Sequence, residues 1–258
     1  MKTFKKLTAL VLAVMMMGCI FAACGADDKA PTTDDGAAEK TVLTMATSAD
    51  FPPYEFYEND EIVGIDIEIM NAVCEKLGMT LEPQDMSFDS VIGATQTGKT
   101  DIAMSGITIT EDRKNMVDFT IPYTSTAQSI IVVEGGEIAA KADLEGKKIG
   151  VQINTTGDTQ VTEEFGDDAV DRYQNGALAV ESLKNGKVDC VVIDGEVAKA
   201  LVEANEGLTI ISDAYSIEEY AIALKKGNTE LLDKINTALE EILADGTVDA
   251  IMAKYIEE

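Results

Sequence analysis

Residues 88–113, FDSVIGATQTGKTDIAMSGITITEDR, contain the alternation from which the fold is read. Phe88–Thr97 reads as a short helix, Gly98 as the turn that stops it, and Asp101–Met104 as a strand. A small polar run of Ser105, Gly106 and Thr108 follows. Thr110-Glu111-Asp112 then looks like a new helix start, with acids in its first turn. Upstream, Thr41–Met45 and Thr80–Pro83 read as strands. Between them, apolar residues at 65, 69, 70, 73, 74 and 77 form a helical stripe over Asp66–Leu77, stopped by Gly78. Pro52-Pro53 blocks helix and holds Phe51, Tyr54 and Phe56 on a stiff loop. The order strand, helix, strand, helix, strand predicts a largely parallel sheet with helices on its faces.

The same alternation returns downstream. Lys147–Gln152 is a strand, NTTGDT a turn into a helical region, Ala177–Leu183 a helix, and Val188–Asp194 (VDCVVID) a fully buried strand. Thr209–Ser212 and Tyr220–Leu224 read as further strands. Leu231, Leu232, Ile235, Leu239, Ile242 and Leu243 mark an amphipathic helix, and Val248–Ile256 a closing one. Two α/β units separated near residues 122–130 predict two lobes, with no sequence repeat relating them.

Composition bounds the chemistry. The 258 residues are 46% hydrophobic and 26% charged, an ordinary globular profile. The first 23 residues stand apart. Lys2, Lys5 and Lys6 precede an apolar run from Leu7, and small residues Ala22 and Ala23 lead into Cys24. This is the pattern of a secretory signal, with a retained anchor helix as the alternative. Residues 24–40 are small, charged and aperiodic, which predicts a disordered tether. The formal net charge of −27 argues against nucleic acid as a partner. The chain has no His, so Ser-His and Cys-His nucleophile pairs and imidazole metal sites are excluded. Cys74 and Cys190 sit in apolar stretches and read as core filler; no metal and no cofactor are expected.

Arg113 is one of only two arginines among 20 basic residues, the other being Arg172. Its rigid fork of donors matches a carboxylate. In open α/β sheets ligands gather at the carboxyl ends of strands beside helix N-termini. Three segments have that position: Ser105–Thr108, Asn154-Thr155-Thr156-Gly157, and Asp194. Each has a plainer reading, as helix cap or turn, and Phe51 and Phe88 as core. Together they make one chemical set. Arg113 and backbone donors suit an α-carboxylate, Asp194 an α-ammonium, and Phe51 with Phe88 the walls around an aliphatic stem.

The stretches ATSADFPPYEF, IVGIDIEIMNAV, FDSVIGATQTGKTDIAMSGITITEDRKNMVDFTIPY, LEGKKIGVQINTTGD, LKNGKVDCVVID and LADGTVDAIMAKY resemble, in this order, the polar amino-acid family of solute-binding proteins of ABC importers. The resemblance implies an α/β, two-lobed Venus-flytrap of the type II periplasmic-binding-protein kind. Lobe 1 would comprise 41–125 and 219–258 and lobe 2 would comprise 126–218, with hinge strands near Tyr123–Ile130 and Ile217–Ile222. It implies Arg113 as the carboxylate clamp, aided by Ser105, Gly106 and Thr108 and by Thr155 and Thr156 from the second lobe. Asp194 would take the ammonium, Phe51 and Phe88 would wall the ligand, and Ser48 would reach its side chain. Ser48 stands where many relatives have an acid, and Asn154 where a glycine is common. Phe21-Ala22-Ala23-Cys24 resembles a bacterial lipobox, with Met17-Gly18-Cys19 a second candidate. The implied protein is a lipid-anchored, extracytoplasmic monomer that binds a free amino acid, polar or basic, and delivers it to a membrane permease. Two rivals are a dehydratase on the same fold and a sensor module.

Overall fold

A computed structural model describes residues 41–211 and 214–256. The signal segment, Cys19, Cys24 and the tether lie outside the described residues. The chain opens with strand β1 (Val42–Thr47), then β2 (Asp50–Phe51), β3 (Glu55–Glu58) and β4 (Glu61–Val63). The last three form a small antiparallel sheet of their own. This flap replaces the plain loop expected around the two prolines. Its tight turn is Asn59-Asp60, both left-handed with φ of 50° and 66°, the backbone that joins antiparallel strands through two residues.

Helix α1 (Ile65–Leu77), strand β5 (Thr80–Asp85), helix α2 (Phe88–Thr97) and strand β6 (Ile102–Ala103) follow. Helix α2 ends where expected because Gly98, at φ 78°, adopts the left-handed cap that a side chain would resist. Short α3 (Glu111–Met116) and β7 (Val117–Phe119) complete this part.

The chain then runs along ten-residue β8 (Thr124–Val133) into a second layer. That layer comprises β9 (Ile149–Gln152), α4 (Thr156–Phe165), β10 (Val170–Tyr173), α5 (Gly176–Lys184), β11 (Cys190–Asp194), α6 (Gly195–Glu203), β12 (Leu208–Ile210) and β13 (Ser216–Tyr220). It returns through β14 (Ala223–Lys225) to α7 (Thr229–Ala244) and α8 (Thr247–Tyr255). No described helix is long and apolar enough to cross a membrane.

Two open sheets result. The first has the order β5-β1-β6-β14-β7, and the second β10-β9-β11-β8-β12 with β13 also on β8. Both are mixed rather than largely parallel. β1 runs parallel to β5 and β6, but β14 is antiparallel to its neighbours β6 and β7. The predicted strand Tyr220–Leu224 is in fact two. β13 ends on the second sheet at Tyr220, and the chain crosses at Ala221-Ile222 before β14 enters the first. The crossing is pinned: Ala221 N donates to Ile107 O (3.1 Å) and Ile222 N to Thr120 Oγ1 (3.0 Å). β8 and β13, paired antiparallel from Thr124↔Tyr220 to Gln128↔Ser216, are the two strands that pass between the layers. Cys74 and Cys190 are buried free thiols; burial pushes them up to about 11 and about 12, far from thiolate reactivity.

Candidate functional site

The turn after β6 is built from beneath by two carboxylates. Ser105 donates its hydroxyl to Glu55 Oε1 at 2.6 Å, and Gly106 N donates to Asp66 Oδ2 at 2.9 Å. Glu55 and Asp66 are fully buried, and Glu55 Oε2, Asp66 Oδ1 and the Tyr123 hydroxyl have no hydrogen-bond partner in the structure. Burial, with repulsion from Asp66, pushes Glu55 well above the usual carboxylate range, and burial pushes Asp66 up to about 6. The pair therefore keeps protons at pH values where ordinary carboxyls have lost them. Gly106 has φ of 52°, and a Cβ there would lie 2.9 Å from Phe51 Cε1 and 3.1 Å from Tyr220 Cε2. Only glycine lets this turn bring its backbone against both rings.

Arg113 is the third residue of α3, which Thr110 caps by accepting Arg113 N–H at 3.2 Å. Its Nη1 donates to Thr108 O (2.9 Å) and its Nη2 to Asn154 O (3.2 Å), so the guanidinium ties the turn after β6 to the turn after β9. It also lies over the Phe88 ring, 5.6 Å from the centroid. Burial lowers its pKa, and the Glu218 charge opposes that shift. Two of five N–H groups are committed to carbonyls, which leaves three more donors on the guanidinium.

Across the cleft, Thr155 caps α4. Its hydroxyl accepts from Asp158 N (3.2 Å) and donates to Gln152 O (2.8 Å), so it is used up locally. Thr156, the first helical residue, brings a backbone N–H that no helical carbonyl reaches. Asp194 ends β11 and caps α6 through Glu196 N (2.9 Å) and Val197 N (3.1 Å) on Oδ1. Its Oδ2 takes Thr126 Oγ1 at 2.5 Å and Tyr220 OH at 3.0 Å. Burial raises its pKa, and these four donors oppose that.

One pocket, its cavity closed down to about 20 Å³, collects eight of the ten candidates: Phe51, Phe88, Gly106, Thr108, Arg113, Thr155, Thr156 and Asp194. Ser48 and Ser105 are not among the lining residues. Ser48 Oγ donates to Asp50 Oδ1 (3.1 Å), Ser48 N donates to Ser105 Oγ (3.0 Å), and both side chains stand behind the wall. Four lining residues were not anticipated: Gln128, Gln152, Ile193 and Tyr220. Gln128 and Tyr220 belong to the two crossing strands, which the sequence marked only as hinges. A further buried residue behind the pocket, Glu218 on β13, gathers donors from both layers. Counting back two from Tyr220 puts it on the same strand face, the one signal that would have found it.

The family described as bacterial extracellular solute-binding proteins, family 3, matches residues 43–258. A probable histidine-binding protein of Neisseria gonorrhoeae is 33% identical over 97% of this chain and 95% of its own length. The arginine-binding extracellular protein ArtP of Bacillus subtilis is 34% identical over 95% of this chain and 96% of its own. Among solved structures, an ancestral arginine-binding protein bound to glutamine superposes with a TM-score of 0.80 at 43% identity, covering 85% of this chain and 99% of that one.

Proposed function

The chain belongs to the bacterial extracellular solute-binding proteins of family 3, and from that premise we propose the ligand, the residues that hold it and the way the protein is anchored. The ligand is a free amino acid with a polar or basic side chain, held between two lobes and passed to the permease of an ABC importer. The observation that carries this reading is one pocket lined by the Arg113 guanidinium, the buried Asp194 carboxylate and the Phe51 and Phe88 rings. Arg113, with the backbone N–H at the start of α4, meets the α-carboxylate. Asp194 meets the α-ammonium, and Phe51 and Phe88 flank the stem. The first lobe takes residues 41–125 and 219–258, the second 126–218, and β8 with β13 forms the hinge about which they close.

The test is thermal unfolding of refolded protein against the twenty amino acids and cystine. A ligand at a thousand times its Kd adds about 4 kcal/mol to the native state. For a chain of this size that raises Tm by roughly 8–16 °C. Shifts from one or a few amino acids are expected. No shift with any would end this reading and direct attention to turnover of prephenate-like acids, the dehydratase alternative.

Cys24 carries the lipid anchor in this proposal, with residues 24–40 as the tether. Cys24→Ala is expected to release the protein from the membrane fraction into the medium; retention would move the anchor to Cys19 or to the apolar segment itself.

A further inference from the structure

Glu218 lies in β13, on the path between the layers, and only 4% of its surface is exposed. Its Oε2 accepts from Thr108 Oγ1 at 2.7 Å, Thr156 Oγ1 at 2.8 Å and Gln128 Nε2 at 3.2 Å. Its Oε1 accepts from Gln160 Nε2 at 3.0 Å and Ser216 Oγ at 3.4 Å. A carboxylate can only accept. A threonine hydroxyl has one proton, so Thr108 and Thr156 each spend theirs on Glu218. What they turn toward the pocket they line is lone pairs. Gln128 is oriented by the same carboxylate, although its amide nitrogen keeps a second N–H. The contact with Glu218 fixes its amide nitrogen on that side, and its Oε1 is left buried with no hydrogen-bond partner in the structure.

The pocket's polar groups thus lean toward acceptors. Acceptors with a vacancy are Thr108 Oγ1, Thr156 Oγ1, Gln128 Oε1 and Gln152 Oε1, whereas Asp194 already takes four donors. Arg113 is the cationic donor of the lining, and the Gln128 and Gln152 amides add neutral N–H groups. One carboxylate can be matched at Arg113. A second would face lone pairs and the buried Glu218 charge, and an unmatched buried polar group is costly. An N–H-bearing group in the same place meets acceptors already waiting.

We propose that Glu218 is a specificity-determining residue. By taking the protons of Thr108 and Thr156 and orienting the Gln128 amide, it makes the pocket acceptor-rich and selects amino acids with one carboxylate and an N–H-bearing side chain, cationic or amide, against acidic ones. This rests on the amino-acid reading above and narrows its substrate class.

Glutamine and glutamate are the sharpest probes, since they share a shape and differ in an NH₂ against an oxygen. Calorimetry with L-arginine, L-glutamine and L-glutamate would be run on the full chain and on Glu218→Gln. The intact protein is expected to bind glutamine at least about 100-fold tighter than glutamate. In Glu218→Gln that ratio falls at least about tenfold, because the hydroxyls regain a proton to donate and a negative charge is gone. A purely structural role would weaken all three ligands together and leave the ratio alone. Gln128→Met, which keeps Glu218 in place, is the second variant and should weaken glutamine and arginine while leaving glutamate weak. Equal affinity of the intact protein for glutamine and glutamate would overturn the proposal, as would an unchanged ratio in Glu218→Gln. Failure of the intact protein to bind any amino acid would instead overturn the amino-acid reading on which it stands.

Discussion

Arg113→Lys is expected to weaken ligand binding by about 100-fold or more while leaving the fold intact. The substitution keeps the charge and removes the geometry. Nη1 and Nη2 reach carbonyls on opposite sides of the cleft, at Thr108 and Asn154, and the remaining N–H groups are the ones proposed for the ligand carboxylate. An ammonium is a single point on a flexible stem and cannot serve three directions at once. It also loses the flat face that rests on Phe88. The fold is spared because Arg113 lies in a six-residue helix with no buried residue of its own. Calorimetry read beside a denaturant melt separates the two effects. Near-native affinity in Arg113→Lys would remove the arginine from the binding role.

Stability is expected to fall, not rise, between about pH 5 and pH 8. In the unfolded chain Glu55 and Asp66 ionise near their ordinary values, close to 4. In the native chain burial pushes Glu55 well above that range and Asp66 to about 6. Between these limits the folded state binds more protons than the unfolded one. The linkage relation then makes unfolding free energy decrease as pH rises. This stabilisation is fully present below the unfolded value and is lost as pH climbs through the folded ones. For Asp66 alone the full change amounts to about 3 kcal/mol, and about half of it falls between pH 5 and pH 8. Glu55→Gln removes one of the two titrating groups and keeps an oxygen for the Ser105 hydroxyl, so it should flatten the slope. Urea melts at pH 5, 6.5 and 8 on both proteins decide it. A stability that climbs with pH in the unaltered protein would mean that the pair is ionised in the native state.

Where the sequence was legible, local physics and tertiary context agreed. The Phe88–Thr97 helix is bounded as expected because its last residue meets a glycine free to turn left-handed, and Cys190–Asp194 of VDCVVID is buried throughout β11 because both sheet faces are covered, while Asp189 before it is exposed. The flap at Asp50–Val63 was missed because two prolines suggested an irregular loop, whereas Asn59-Asp60 supplied the tight turn. Placement of the turn after β6, the start of α4 and Asp194 around one pocket followed from strand ends and helix starts, and that of Arg113 and the two phenylalanines from their chemistry and the family resemblance. Ser48 and Ser105 did not follow, since nothing in the sequence says that buried Glu55 draws the Ser105 hydroxyl backward. Glu218 was missed for a related reason. β13 turns Ile217 outward, 81% exposed, and Glu218 inward, the reverse of what hydrophobicity alone suggests.

The place of β14 in the first sheet bears on how the chain is made. It lies between β6 and β7, so an inner strand of that sheet is supplied from beyond the whole second layer. A ribosome delivers β6 and β7 early, with their pairing edges unsatisfied, and then delivers every strand of the second sheet before β14 emerges. The second layer can complete its ladder during synthesis. The first must hold open edges, prone to wrong partners, until the final quarter of the chain arrives. The part of the molecule that is written first is the part that is finished last.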